Sequence, residues 1–158
     1  MDFQLNRVRL EERKVLYRLL QYSLYEESAH DGNEIGSDAL FLYPWFDAYF
    51  TDPAREAYLF REPGSGKLLG FAMLYTVARN SASVHSIVEF MVLPPYRQQG
   101  VGEAAARTCF QMHTGTWEVS PSFGSESAYS FWERVIGRYI EETPRFKEGT
   151  FIFSVISR

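Results

Sequence analysis

The stretch "VLPPYRQQGVGEAAA" (residues 92–106) decides the reading of this chain. An apolar strand, "SVHSIVEFMVL" (83–93), runs into two prolines. Arg97 follows, then Gly100 and Gly102, then small residues that favour a helix. A helix start leaves about four backbone N–H groups without partners and carries partial positive charge. Such an end accepts an anion if no side chains intervene. Gly100 and Gly102 remove two, Val101 between them can turn inward, and Arg97 adds a positive charge at the rim. The backbones of Gln98 and Gln99 add donors. The stretch therefore suits a pyrophosphate. No Lys-Ser/Thr pair follows the glycines, so it is not a P-loop, and the glycine spacing is not that of a dinucleotide fold.

The elements around this turn follow from periodicity. Residues 3–10 alternate and suggest a strand. "EERKVLYRLLQYSLYEE" (11–27) has leucines at helical spacing, and "SAHDGNEIGSD" (28–38) is polar enough for a loop. A short helix broken near Pro44 is expected over 39–50. "AYLFRE" and "KLLGFAMLYTVA" flank "PGSG" and form a hairpin. The strand 83–93 is nearly all apolar, hence central. A helix over 101–113, a strand over 117–120 and an amphipathic helix through "ESAYSFWERVIGRY" come next. Strands over about 139–146 and through "TFIFSVIS" (150–157) close the chain. The fold class is α/β, with a mixed, mostly antiparallel central sheet flanked by helices on both faces. Residues 1–158 form one domain. The apolar last strand, left as an edge, would be suited to pairing across a homodimer.

Composition excludes several classes. The net charge is −4 and the pI about 5.4, which disfavours nucleic acid. The single cysteine, Cys109, rules out an internal disulfide and lies in a helix with no adjacent base, so it is expected to be inert. The longest apolar run is about half of what a membrane span requires. The charged start does not look like a signal peptide, and a cytoplasmic protein is expected. The histidines have no partners at ligand spacing, so no metal is expected.

Together, "VLPPYRQQGVG" and "SAYSFWERVIG" resemble the two signature blocks of the GNAT acetyltransferase superfamily, and the element order matches along essentially the whole chain. The likeness is greatest to bacterial predicted acetyltransferases. The resemblance implies acetyl-CoA as cosubstrate. It implies that the pyrophosphate lies on Gln98, Gln99, Gly100, Val101 and Gly102, and that the pantetheine arm pairs with the backbone of Met91, Val92 and Leu93. In the second block, Ser125 stands where the family often has Asn, and Trp132 where it has Tyr. The segment Phe131–Gly137 is one residue longer than usual.

Acyl transfer to an amine requires a proton acceptor for the nitrogen, donors for the oxyanion and a fate for the thiolate. Glu89 is the candidate base, because a carboxylate inside "SIVEFMV" is buried and its pKa rises. Strict alternation puts His85 on the same face, about 13 Å away, as a candidate relay. Tyr129, one turn before Trp132, is the candidate acid. Tyr43 and Trp45 flank Pro44 and could wall the acceptor site. The acidic residues Glu26, Glu27, Asp31, Glu34 and Asp38 could attract a cationic acceptor. The expected activity is direct acetyl transfer to a primary amine of a small molecule. The alternatives are a non-catalytic CoA-binding module, and a protein N-acetyltransferase acting on Lys or an N-terminal amine.

Overall fold

The computed structural model describes residues 2–157. Seven strands form one sheet: β1 (Gln4–Arg7), β2 (Arg55–Arg61), β3 (Leu68–Arg79), β4 (Ala82–Val92), β5 (Gly115–Val119), β6 (Arg145–Lys147) and β7 (Thr150–Val155). Their order is β1-β2-β3-β4-β5-β7-β6, and only the β4–β5 pairing is parallel. Helix α1 (Arg13–Asp31) and a 3₁₀ turn (Phe46–Phe50) cover one face. Helices α2 (Val101–Met112) and α3 (Glu126–Ile140) cover the other.

Each face has its own core. Leu16, Leu20, Phe46 and Tyr49 pack with Leu59, Phe71, Met73 and Met91. Val101, Ala105, Phe110, Val135 and Ile136 pack with Phe60, Ile87, Trp117 and Phe151 on the opposite side. Alternate residues of β2 and β3 serve the two cores, which is why these strands are apolar on both faces.

Several boundaries differ from the sequence reading. Helix α1 does not end at Glu27. It runs to Asp31 and stops at Gly32, whose left-handed backbone (φ 73°) lets its N–H reach Ser28 O. Of the expected strand over 139–146, Tyr139 and Ile140 instead end α3, with Tyr139 buried on the stripe of Val135 and Ile136, and residues 141–144 are turn or irregular. Only Arg145–Lys147 is extended. Residues 39–45 are irregular, and only Phe46–Phe50 winds into a helical turn. The last strand is not an edge: β7 lies between β5 and β6. The edge is the three-residue β6, with Arg145 and Lys147, so the argument for pairing across a dimer through β7 falls.

The correction with the most consequence lies in β4. Met73 pairs with Glu89 and Leu74 with Ile87, leaving Val88 as an extra residue. This β-bulge reverses the alternation. Ile87 and His85 face the α2/α3 side, while Glu89 and Met91 face α1. His85 and Glu89 are therefore not on one face.

Candidate active site

β4 and β5 pair only from Val84/Thr116 to Ile87/Val119. β5 ends there, while β4 continues to Val92. The two strands separate, and the β4 backbone beyond the bulge has no strand beside it on that side. The resulting cleft holds about 680 Å³. Phe90, Met91 and Val92 form its floor. The turn from Arg97 to Glu103 forms one wall, Ser125, Phe131 and Trp132 another, and Ser23, Glu27 and His30 of α1 a third.

The glycine turn takes the conformation its sequence suggests. Gln98 (φ 63°) and Gly100 (φ 83°) are both left-handed, and Gly100 precedes α2 without any side-chain cap. Left-handed residues interspersed in this way turn successive N–H groups toward one concavity. A Cβ at Gly100 would meet nothing within 4 Å, so the space above it is open. Val101 is buried, as expected. Gly102 has a second reason: a Cβ there would lie 3.0 Å from the Phe131 ring, so α2 can approach α3 this closely only with glycine. Gln99 faces elsewhere, and its side-chain amide donates to Pro95 O.

Arg97 is at the rim, but its guanidinium is engaged. Nε donates to Val92 O at 2.7 Å, and Nη2 reaches Glu26 on α1 at 3.1 Å. Leu93 N–H is committed to Leu69 O of β3 and Val92 O to Arg97, which leaves residues 88–91 as the stretch with no partner on the cleft side. Ser125 caps α3, accepting from Ala128 N–H at 3.2 Å. Trp132 is buried and meets Phe90 edge-on with centroids 5.0 Å apart, so it supports the cleft floor from below.

The candidate base is buried on the α1 side. Burial first, then the Glu27 carboxyl beside it, push Glu89 up to about 9. Glu27 is also raised, again by burial and by the neighbouring acids Asp31 and Glu26, while its hydrogen bonds to Glu89 and Ser23 oppose the rise. Glu89 Oε2 is sealed from solvent and has no hydrogen-bond partner. Tyr43, half-buried, lies near Glu89 and Tyr49, and burial raises its hydroxyl above the ordinary range. The Tyr49 hydroxyl lies near Tyr43 and Arg55 but completes no well-formed hydrogen bond.

Three predicted residues lie elsewhere. Trp45 is 63% exposed and stacks with Arg55 rather than walling the cleft. Tyr129 faces β6 and β7, packing on Phe146 and Phe151. Its hydroxyl donates to Glu133, a bond that raises its pKa and makes it a poorer acid. Apolar neighbours three and four positions away set the rotation of α3, and they turn Tyr129 off the cleft. His85, displaced by the bulge, stacks on His113 with centroids 4.5 Å apart and shares a hydrogen bond with Thr76 Oγ1. His113 in turn bonds Glu56 at 2.7 Å. This buried network ties α2 to the sheet at the end remote from the glycine turn. Among the described residues, no group of three or more His, Cys, Asp or Glu is placed to hold a metal. Cys109 is fully buried, and burial pushes its thiol up to about 12, so it is no nucleophile.

The sequence reading missed Arg134 and Arg138. Arg138 is paired with Glu103 at 2.9 Å, and Arg134 lies over the Phe131 ring; both line the cleft. Their signal was present, since they sit one turn apart on the polar side of α3. Glu27, read only as one of the acidic residues that could attract a cation, lies on the face of α1 that carries Leu16, Leu20 and Ser23 and stands beside Glu89.

A central sheet splayed beside an uncapped helix start makes a cleft suited to an extended ligand with an anionic group. Comparisons with known proteins give the family. The acetyltransferase (GNAT) family model matches residues 21–137. Solved structures share the fold at low identity. A GNAT-family acetyltransferase from Staphylococcus aureus Mu50 is 12% identical, with a TM-score of 0.66 over 98% of this chain and 100% of that one. A predicted acetyltransferase from Clostridium acetobutylicum, solved with acetyl-CoA, is 10% identical, with a TM-score of 0.61 over 83% and 88%. A ribosomal-protein-alanine N-acetyltransferase from Brucella melitensis biovar Abortus 2308 is 15% identical, with a TM-score of 0.57 over 85% and 90%. No curated protein matches the chain. The chain belongs to the GNAT acetyltransferase family and is an acyltransferase.

Proposed function

We propose that this protein transfers an acetyl group from acetyl-CoA directly to a primary amine of a small molecule. The observation that carries the reading is the unpaired backbone of β4 beyond Val88, opening onto the bare start of α2. An extended amide-bearing arm can add to such an edge as a strand would. A pyrophosphate suits the N–H groups from Gln98 to Gly102. Arg134 and Arg138 supply positive charge along the same cleft, and Arg97 does so once it leaves Glu26.

The acceptor end is supported by its charge and shape. The single negative charge of the Glu27–Glu89 pair and Asp31 make it anionic, which favours an ammonium ion. Ser23, Glu27 and His30 of α1 wall it, which favours a small acceptor over a protein surface, while Tyr43 packs behind them. The proton acceptor is the Glu27–Glu89 pair. With Cys109 buried and inert, no acyl-enzyme is needed, and both substrates are bound together. The thiolate takes its proton from the attacking nitrogen, so Tyr129 has no part. A single buried thiol suits a reducing compartment, and the proposed location is the cytoplasm.

Titration calorimetry with acetyl-CoA, with dephospho-CoA as control, followed by turnover on a panel of small amines and peptides, tests the reading. Micromolar binding with turnover of small amines is expected. Binding without any turnover would make the protein a CoA-binding module, and turnover of peptides alone would make it a protein acetyltransferase. No binding at millimolar acetyl-CoA would remove the reading entirely.

A further inference from the structure

Glu89 does not stand in the cleft wall; Glu27 does. Glu89 lies behind it, on the bulged strand, with Oε2 buried and unpartnered. The Glu27 carboxyl lies beside that of Glu89, and two carboxyls so placed are held together by one shared proton. Ser23, one turn before Glu27 and buried, lies beside the Glu27 carboxyl. The surroundings are otherwise acidic or neutral. From α1 come Asp31 and Glu26, the latter drawn away by Arg97. From the 41–50 segment come the hydroxyls of Tyr43 and Tyr49, with Arg55 of β2 beyond Tyr49. The Tyr49 hydroxyl, in a side chain only 4% exposed, is a second buried polar group here without a bonded partner.

We propose that Glu27 is the carboxylate that meets the acceptor amine and takes its proton, with Glu89 as the positioning residue behind it that holds the proton the two share. The inference rests on the acetyltransferase reading and refines it. Two carboxylates this close cannot both ionise readily, so the pair keeps one proton and one negative charge. At neutral pH the buried member carries the proton, and the member facing the cleft is free to act.

The step balances. An ammonium substrate gives one proton to Glu27, and the N–H bonding pair stays on nitrogen. The carboxyl pair becomes neutral. The nitrogen lone pair forms a bond to the thioester carbonyl carbon. Collapse breaks the C–S bond, sulfur leaves with that electron pair, and it takes the second proton from nitrogen. The carboxyl pair then returns its proton to solvent.

The test compares wild type, Glu27→Gln and Glu89→Gln, using the best amine from the panel and ¹³C-carboxyl NMR titration of the free protein. Glu27→Gln should lose about 10²- to 10⁴-fold in kcat, the usual worth of a general base. Glu89→Gln should stay within about tenfold at its optimum, with the acidic limb of its pH profile moved to higher pH, because an amide donates to the Glu27 carboxylate more weakly than the protonated Glu89 carboxyl does. In the titration, wild type should show two linked steps, and Glu89→Gln a single step for Glu27, no lower than the first step of wild type. Thermal unfolding of both variants within a few degrees of wild type guards against misfolding. Glu27→Gln within threefold of wild type, or Glu89→Gln the more damaged of the two, overturns the proposal. So do carboxyls that titrate independently. Wild type that binds acetyl-CoA yet acetylates nothing overturns the acetyltransferase reading instead, and the titration alone then judges the pairing.

Discussion

At the scale of single residues, the glycine turn was legible because its chemistry is local. Gly100 needs φ 83°, a value only glycine holds without strain, and the sequence placed it one residue before a helix. Gly100→Ala should cost about 1 kcal/mol by denaturant unfolding, from backbone strain alone, since a Cβ there meets open space. A cost near zero would mean that the turn relaxes out of the left-handed region. Glu89 was also legible: a lone carboxylate in an apolar strand has to be buried. Its pairing was not: Glu27 stood at the end of the expected helix 11–27, among acidic residues that could attract a cation, and nothing local says that it lies beside Glu89.

At the scale of elements, the bulge sets where chemistry can occur. It turns Glu89 toward α1 and parts β4 from β5 within a few residues. No residue pattern announced it. "SIVEFMV" is apolar on both faces, so the register of β4 is fixed by Met73 and Leu74 across the ladder rather than by its own alternation. Where the signal is local, the element follows its residues: serine is a favoured N-cap, and Ser125 caps α3. Ser125→Ala should lower stability by about 1 kcal/mol, the usual value for a lost N-cap. Because Ser125 also lines the cleft, acetyl-CoA affinity measured on the same variant tells whether the cap orders the cofactor wall. Unchanged stability would mean that a neighbouring group, such as Ser127 Oγ at 3.3 Å, replaces the cap.

At the scale of the whole molecule, the sheet class was evident from the hairpin, the crossover helix and the long apolar strand. The insertion of β7 between β5 and β6 was not, because pairing between distant segments decides it. The two-faced sheet also gives the protein a dependence of stability on pH that its surface would not. Glu89 binds its proton more tightly folded than unfolded, so its contribution is complete below the ordinary carboxylate range and is lost as pH rises toward about 9. His85, whose pKa is lowered by burial and then by His113, acts only below about 6.5. Glu12 and Glu56 are lowered despite their burial, through hydrogen bonds and nearby cations, and act only in the acid range. Cys109 begins to matter as pH nears the ordinary thiol value of about 8.5, and the buried tyrosines near about 10. Between about pH 7 and 7.5 the carboxyl pair therefore dominates among these groups. Denaturant unfolding across that window should show stability falling with pH, by at most about 1.4 kcal/mol per unit for one proton. Glu89→Gln should flatten the slope. A wild-type slope of zero would mean that the pair is already ionised at pH 7, and a slope that survives in Glu89→Gln would mean that another group carries it.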